Sequence, residues 1–171
     1  MAVISAKILE IIKRHKGEKV FAVHKSDEGV SLLVGKLTDI EGDKVVIREN
    51  KDNNLVGLSL NPSGKHQLLH LYNKLFIDLV NARKTVDLSK KVSDRELQKE
   101  ILKNLKKKLR QDLLFVFKGG EDLHVSRGKF KNMRIKDIVL SPGPFYNQDE
   151  SLHYRSVFHI YSPDGTDLIN V

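Results

Sequence analysis

Gly35-Lys36-Leu37-Thr38-Asp39-Ile40-Glu41-Gly42-Asp43-Lys44-Val45-Val46-Ile47 aligns without a gap on Gly128-Lys129-Phe130-Lys131-Asn132-Met133-Arg134-Ile135-Lys136-Asp137-Ile138-Val139-Leu140. The Gly, the Lys and the second Val are identical, and Leu/Phe, Asp/Asn, Ile/Met, Val/Ile and Ile/Leu are conservative pairs. Upstream, Phe21-Ala22-Val23 begins fourteen residues before Gly35, and Phe115-Val116-Phe117 thirteen before Gly128, so the same strand order precedes each copy. Glycine inside a strand marks a sharp bend or a close backbone approach. Bent strands are how a short meander closes into a barrel. Two bent hairpins of unrelated origin would share some of this pattern. A duplicated small β-barrel accounts for all of it.

Around these copies the periodicity changes twice. Ile4, Ile8, Ile11 and Ile12 recur at helical spacing, with Gly17 as a stop. Residues 20–25, 30–37, 44–49 and 55–60 read as strands rich in Val, Leu and Ile, separated by polar turns. Asn61-Pro62-Ser63 then opens an expected helix whose apolar face is Leu68, Leu71, Tyr72, Leu75, Phe76, Leu79 and Val80. Residues 84–91 read as a linker. Ser93-Asp94-Arg95-Glu96 is a capping box for a second helix that buries Leu97, Ile101, Leu105 and Leu109. Strands follow at 113–118, 123–130, 134–140 and 152–161, with a further one at 166–171. The expected fold is α+β: an N-terminal helix, then two small antiparallel β-barrels separated by an antiparallel helical pair. The expected domains are 1–61, 62–111 and 112–171.

The 171 residues contain no cysteine, which excludes disulfides, thiol catalysis and cysteine-ligated metals. No apolar run approaches the ~18 residues of a membrane span. The N-terminus lacks a secretory signal pattern, so a cytoplasmic location is expected. Residues 1–61 carry ten basic and nine acidic side chains, 62–111 thirteen and five, and 112–171 seven and eight. The whole net charge of +8 therefore sits in the middle third. Segregated positive charge favours an acidic partner.

Gly35, Leu37 and Ile40, followed by Val45, Val46 and Ile47, lie behind a helix and a strand in an arrangement that resembles the Sm-like family. The resemblance covers about the first 60 residues. It implies a small barrel, oligomeric assembly and RNA binding. Glu41 and Val45 stand where the family usually carries Asp and Asn, so the family's nucleotide-pocket residues do not carry over.

Several residues bear chemistry. Asp27, Glu49 and Lys51 occur in the order of a restriction-type nuclease, where two carboxylates hold magnesium and Lys meets the phosphorane; a polar turn at 50–54 explains Lys51 equally. His66 and His70 have the i, i+4 spacing of a helical zinc site, without a third ligand. His153, Arg155, His159 and Tyr161 share one face of an expected strand, either toward phosphate or simply toward solvent. Lys129 and Lys131 flank Phe130 as exposed cations, while Phe130 aligns with Leu37 as core. Phe145 and Tyr146, in a Pro/Gly loop, and Arg155 are candidate partner contacts. No phosphate-binding Gly-rich loop and no nucleophile elbow occur.

The expectation is a noncatalytic protein with no cofactor and no metal that binds nucleic acid, RNA rather than DNA. Lys99, Lys103, Lys106, Lys107, Arg110, Lys129 and Lys131 would meet phosphates. An oligomeric protein-interaction scaffold is the alternative, and a magnesium-dependent nuclease the third.

Overall fold

The computed structural model describes residues 6–81, 94–141 and 148–169. The fold is α+β, with strand predominating, and the chain divides into two units, Met1–Val86 and Asp87–Val171. The first holds α1 (Ala6–Lys13) and strands β1 (Lys19–Ser26), β2 (Gly29–Glu41), β3 (Lys44–Glu49), β4 (Leu55–Ser59) and β5 (Gln67–Tyr72). The second holds α2 (Asp94–Lys106), β6 (Leu113–Gly119), β7 (Asp122–Met133), β8 (Asp137–Ser141), β9 (Glu150–His153), a 3-10 turn (Tyr154–Ser156) and β10 (Val157–Tyr161).

The first sheet runs β1-β2-β3-β4-β5. Its ring of pairings closes because β5 lies antiparallel on β1 and meets β4 through one parallel pair, Ser59 with Gln67. The second sheet has the same order, β10-β6-β7-β8-β9. Each unit has its own core. Ile12 of α1 packs with Val20, Leu37, Ile47, Leu58 and Leu71; Ile101 and Leu105 of α2 pack with Leu113, Phe130, Leu140 and Ile160.

Strand register follows the internal repeat closely. Gly35 pairs with Val20 and Gly128 with Leu113. The β2–β3 register shifts between Leu37 and Asp39, and the β7–β8 register between Phe130 and Asn132. All these positions differ by 93 residues, so Phe21 corresponds to Leu114. The sequence alignment on Phe115 is one residue out. Both glycines sit where the strand crosses its neighbour too closely for a side chain. A Cβ on Gly35 would lie 2.2 Å from the Arg48 carbonyl oxygen, and one on Gly128 would lie 2.8 Å from that of Ser141.

The expected helix over 62–80 is a strand and a hook instead. Leu68 and Leu71 are both buried, a spacing of three that suggests a helix. In β5 a bulge produces it: Val23 pairs with His70 but the next residue, His24, pairs with Leu68, leaving Leu69 unpaired in the ladder. The extra residue returns Leu68 and Leu71 to the same face. Leu75, expected on an apolar helix face, is 69% exposed. Among the described residues the expected first helix of the pair is thus replaced by β5, which completes the first sheet, and α2 belongs to the second core.

Three smaller corrections follow. The expected strand 152–161 is interrupted by the 3-10 turn, and a second bulge, between the pairs Val157–Phe117 and His159–Val116, turns His159 inward. His159 is therefore 2% exposed rather than on a solvent face. Helix α2 stops at Lys106, so Leu109 is 48% exposed rather than buried. Residues 166–169 make a bridge, Tyr161 with Asp167, rather than a strand. The expected linker 84–91 and Ser93 lie outside the described residues.

Candidate functional site

Helix α2 buries Ile101 and Leu105 one turn apart, so Lys99, Lys103 and Lys106 are left exposed around its other side. Lys107 and Arg110, also exposed, continue past the helix end in turns closed by Lys108 N–H to Leu105 C=O and Gln111 N–H to Lys108 C=O. None of these five cations has an ion-pair partner among the described residues. Lys103 and Lys106 also complement the negative end of the helix, a stabilising role that leaves their charge available to solvent.

The first unit has a second concentration of polar groups. An open cleft of about 380 Å³ is lined by Asp43, Lys44, Ser59, Ser63, Lys65 and His66 among others. Its floor is tied together: the Ser59 hydroxyl donates to Asp43 Oδ2 at 2.8 Å, and Asn61 N–H donates to Ser59 Oγ at 3.0 Å. A Cβ on Gly64 would stand 2.4 Å from Ser59 Cβ, so this loop closes on Ser59 only because residue 64 lacks a side chain. Lys44 and Lys65 are exposed at its rim. The His66 ring lies 6.4 Å from that of His24. Burial, with the His66 charge adding to it, holds the His24 imidazole below the ordinary histidine range. The second unit spans the same connection with the three-residue 3-10 turn.

Other sequence candidates fare differently. Lys129 is exposed. Lys131 is exposed too, but it is bonded to Asp149 at 2.6 Å, so its charge is already matched. Arg155 is exposed and lies over the Tyr154 ring, 5.8 Å from its centre. Phe145 and Tyr146 lie outside the described residues. Asp27 occupies the β1–β2 turn beside Gly29, whereas Glu49 pairs with Gly35. Six residues of strand at ~3.3 Å each put roughly 20 Å between them, too far for one magnesium. His66 and His70 are not one helical turn apart: His66 precedes β5 and His70 lies within it, bonded to Asp78.

That His70–Asp78 bond belongs to a feature the sequence reading missed. After its last strand each unit folds back in a short hook, 73–81 and 162–169. His70 Nδ1 lies 2.6 Å from Asp78 Oδ2, and His159 Nδ1 lies 2.6 Å from Asp167 Oδ2. Leu79 N–H donates to Leu71 C=O, and Leu168 N–H to Ile160 C=O, each at 2.7 Å. Asp78 Oδ1 also accepts from the amides of Leu71, Val80 and Asn81. Burial opposes the charge of Asp78, but the His70 and Asn81 hydrogen bonds and these amides outweigh it and hold the carboxyl below its usual range. The signal was present: His-x-Tyr-x5-Asp-Leu-x-Asn begins at His70 and again at His159.

Compared with protein-family profiles, curated proteins and solved structures, the chain matches none of them.

Proposed function

We propose that the chain is a noncatalytic nucleic-acid-binding protein built from two small barrel-type units, with RNA as its preferred ligand. The observation that carries this reading is the row Lys99, Lys103, Lys106, Lys107 and Arg110, exposed and without ion-pair partners among the described residues. Five unneutralised cations within twelve residues repel each other, and a polyanion relieves that repulsion by releasing its own counterions. Lys44 and Lys65 at the cleft rim and exposed Lys129 extend the positive surface. The preference for RNA rests on the Sm-like resemblance of the first 60 residues. The scaffold reading loses its main support, since the apolar side of α2 is spent on its own core.

The test is a titration of labelled RNA and DNA between 50 and 200 mM salt, a range over which several phosphate contacts cost orders of magnitude in affinity. Binding falls steeply with salt, and Lys103→Gln, Lys106→Gln and Lys107→Gln together flatten the slope by about one unit per lost phosphate contact. Because all three are exposed, the circular-dichroism spectrum is unchanged. Absence of binding at low salt, or an unaltered slope in the triple variant, overturns the proposal.

A further inference from the structure

The two hooks make the same contacts with different degrees of ease. Each turns back through four residues after its last strand, Asn73 N–H to Ile77 C=O in one unit and Ser162 N–H to Thr166 C=O in the other. The residue at the crest is Gly165 in the second, with φ +84°, a conformation natural to glycine. In the first it is Phe76, held at φ +60°. For a bulky residue this left-handed backbone is strained. The turn is kept shut by Asn73, whose Oδ1 accepts from both Leu75 and Ile77 amides, and by stacking of Phe76 on Phe21 at 5.8 Å.

What the hook covers is the side of β5 away from β1. Leu71 there points both its backbone groups outward, its N–H to Asp78 Oδ1 and its C=O to Leu79 N–H. These bonds are made by a short segment, 77–81, reached through a single strained turn. A segment of identical sequence in another copy of the chain would make the same bonds. Exchanging a small element through a short, strained hinge is the physical recipe for domain swapping.

We propose that the hook 77–81 is an exchangeable element through which two copies of this chain associate, Asp78 of each copy bonding His70 of the other. Opening the turn releases Phe76 from its left-handed backbone in both copies, while the contacts of 77–81 with β5, Asp78 with His70 and Leu71 and Leu79 with Leu71, are re-formed across the dimer. The association is concentration-dependent and sits beside the nucleic-acid reading without depending on it.

Complementation tests it in the full chain. His70→Ala removes the donor and Asp78→Ala the acceptor, so neither variant alone can form the pair in either arrangement. Mixed after brief partial denaturation, the two recover one intact His70–Asp78 pair only if hooks exchange. Size-exclusion chromatography with light scattering then shows a heterodimer, favoured over either homodimer, in which the Leu79 amide regains its protection from hydrogen exchange. As a variant that leaves this pair intact, Phe76→Gly relieves the left-handed strain at the proposed hinge and lowers the dimer fraction about tenfold. A wild-type chain that stays monomeric at high concentration overturns the proposal. So does a dimer that forms without preference for the complementary pair, because its interface then lies elsewhere.

Discussion

Replacing Gly35 by Ala tests the close crossing on which the first sheet turns. A Cβ there would meet the Arg48 carbonyl oxygen at 2.2 Å, its carbon at 2.9 Å and Ile47 Cγ2 at 2.7 Å. Real Cβ atoms essentially never stand under 3.0 Å from such atoms, and two of the three are backbone, so rotamer change cannot relieve the clash. The β2–β3 ladder must part near the Gly35–Glu49 pair. Overpacking of this kind costs about 1–3 kcal/mol, and a backbone clash belongs at or above the upper end. Gly128→Ala is milder. Its added carbon meets the Ser141 oxygen at 2.8 Å, then Leu140 Cβ at 3.3 Å, so a shift of a few tenths of an ångström suffices; about 1–2 kcal/mol is expected. Whole-chain denaturation would blend two cores into one transition. Amide hydrogen exchange resolves them, read at Val20 and Ile47 for one and at Leu113 and Leu140 for the other. The order of the two effects is the diagnostic quantity. If Gly35→Ala stays within about 0.5 kcal/mol of wild type, the range of a neutral surface change, the close crossing is refuted.

Leu105→Ala empties a fully buried site in the second core and costs about 2–5 kcal/mol there, read by exchange at Leu113, with the first unit unaffected. Asp78→Asn leaves five hydrogen-bonding partners facing an amide and lowers stability of the first unit by about 2–4 kcal/mol in thermal and chemical unfolding; a loss under 0.5 kcal/mol contradicts its role. The depressed carboxyls set the acid limit. Asp164, brought to about 2 by its Ser162 and Thr166 hydrogen bonds, stabilises the fold above the unfolded carboxyl range near ~4, a contribution lost as pH falls toward 2; Asp78, likewise held below its usual range, acts in the same direction. His24 acts in the same direction at higher pH: its depressed value means protonation opposes folding, so stability present above ~6.5 declines as pH falls below it. His24→Phe, which installs the residue that the second unit carries at this register in Phe117, abolishes that decline in a pH series of unfolding midpoints.

Strands β1, β3, β4 and β6 were legible because their apolar runs are short and bounded by turn residues. What misled was a local departure from strand geometry. The bulge at Leu69 gives β5 the i, i+3 burial of a helix, and the bulge at Phe158 hides His159 where simple alternation would expose it. Neither bulge leaves a glycine or proline to announce it. The exposed cations of α2 were legible from helical spacing alone, since a solvated face needs no partner to form. Lys131 was not, because its match with Asp149 joins residues eighteen apart across a β-connection. The nuclease order Asp27, Glu49, Lys51 failed for a related reason: order along a hairpin says nothing about which end of it each residue occupies.

The two halves differ in what they have kept. Over 19–48 and 112–141 only six of thirty positions are identical, yet every strand pair and bulge is in the same register. Over 70–81 and 159–170 five of twelve are identical, among them His, Tyr, Asp and Asn. Apolar packing tolerates exchange of Leu for Phe or Val for Ile provided volume and pattern persist. A buried carboxylate tolerates no such exchange, since removing any partner leaves an unpaired polar group. The dissimilar sheets and the similar hooks thus reflect two kinds of interaction with different tolerance for substitution. The part of each unit that binds its last strand is the part whose polar residues the two share, and the left-handed turn that Gly165 adopts without strain and Phe76 does not is where the behaviour of the hooks diverges.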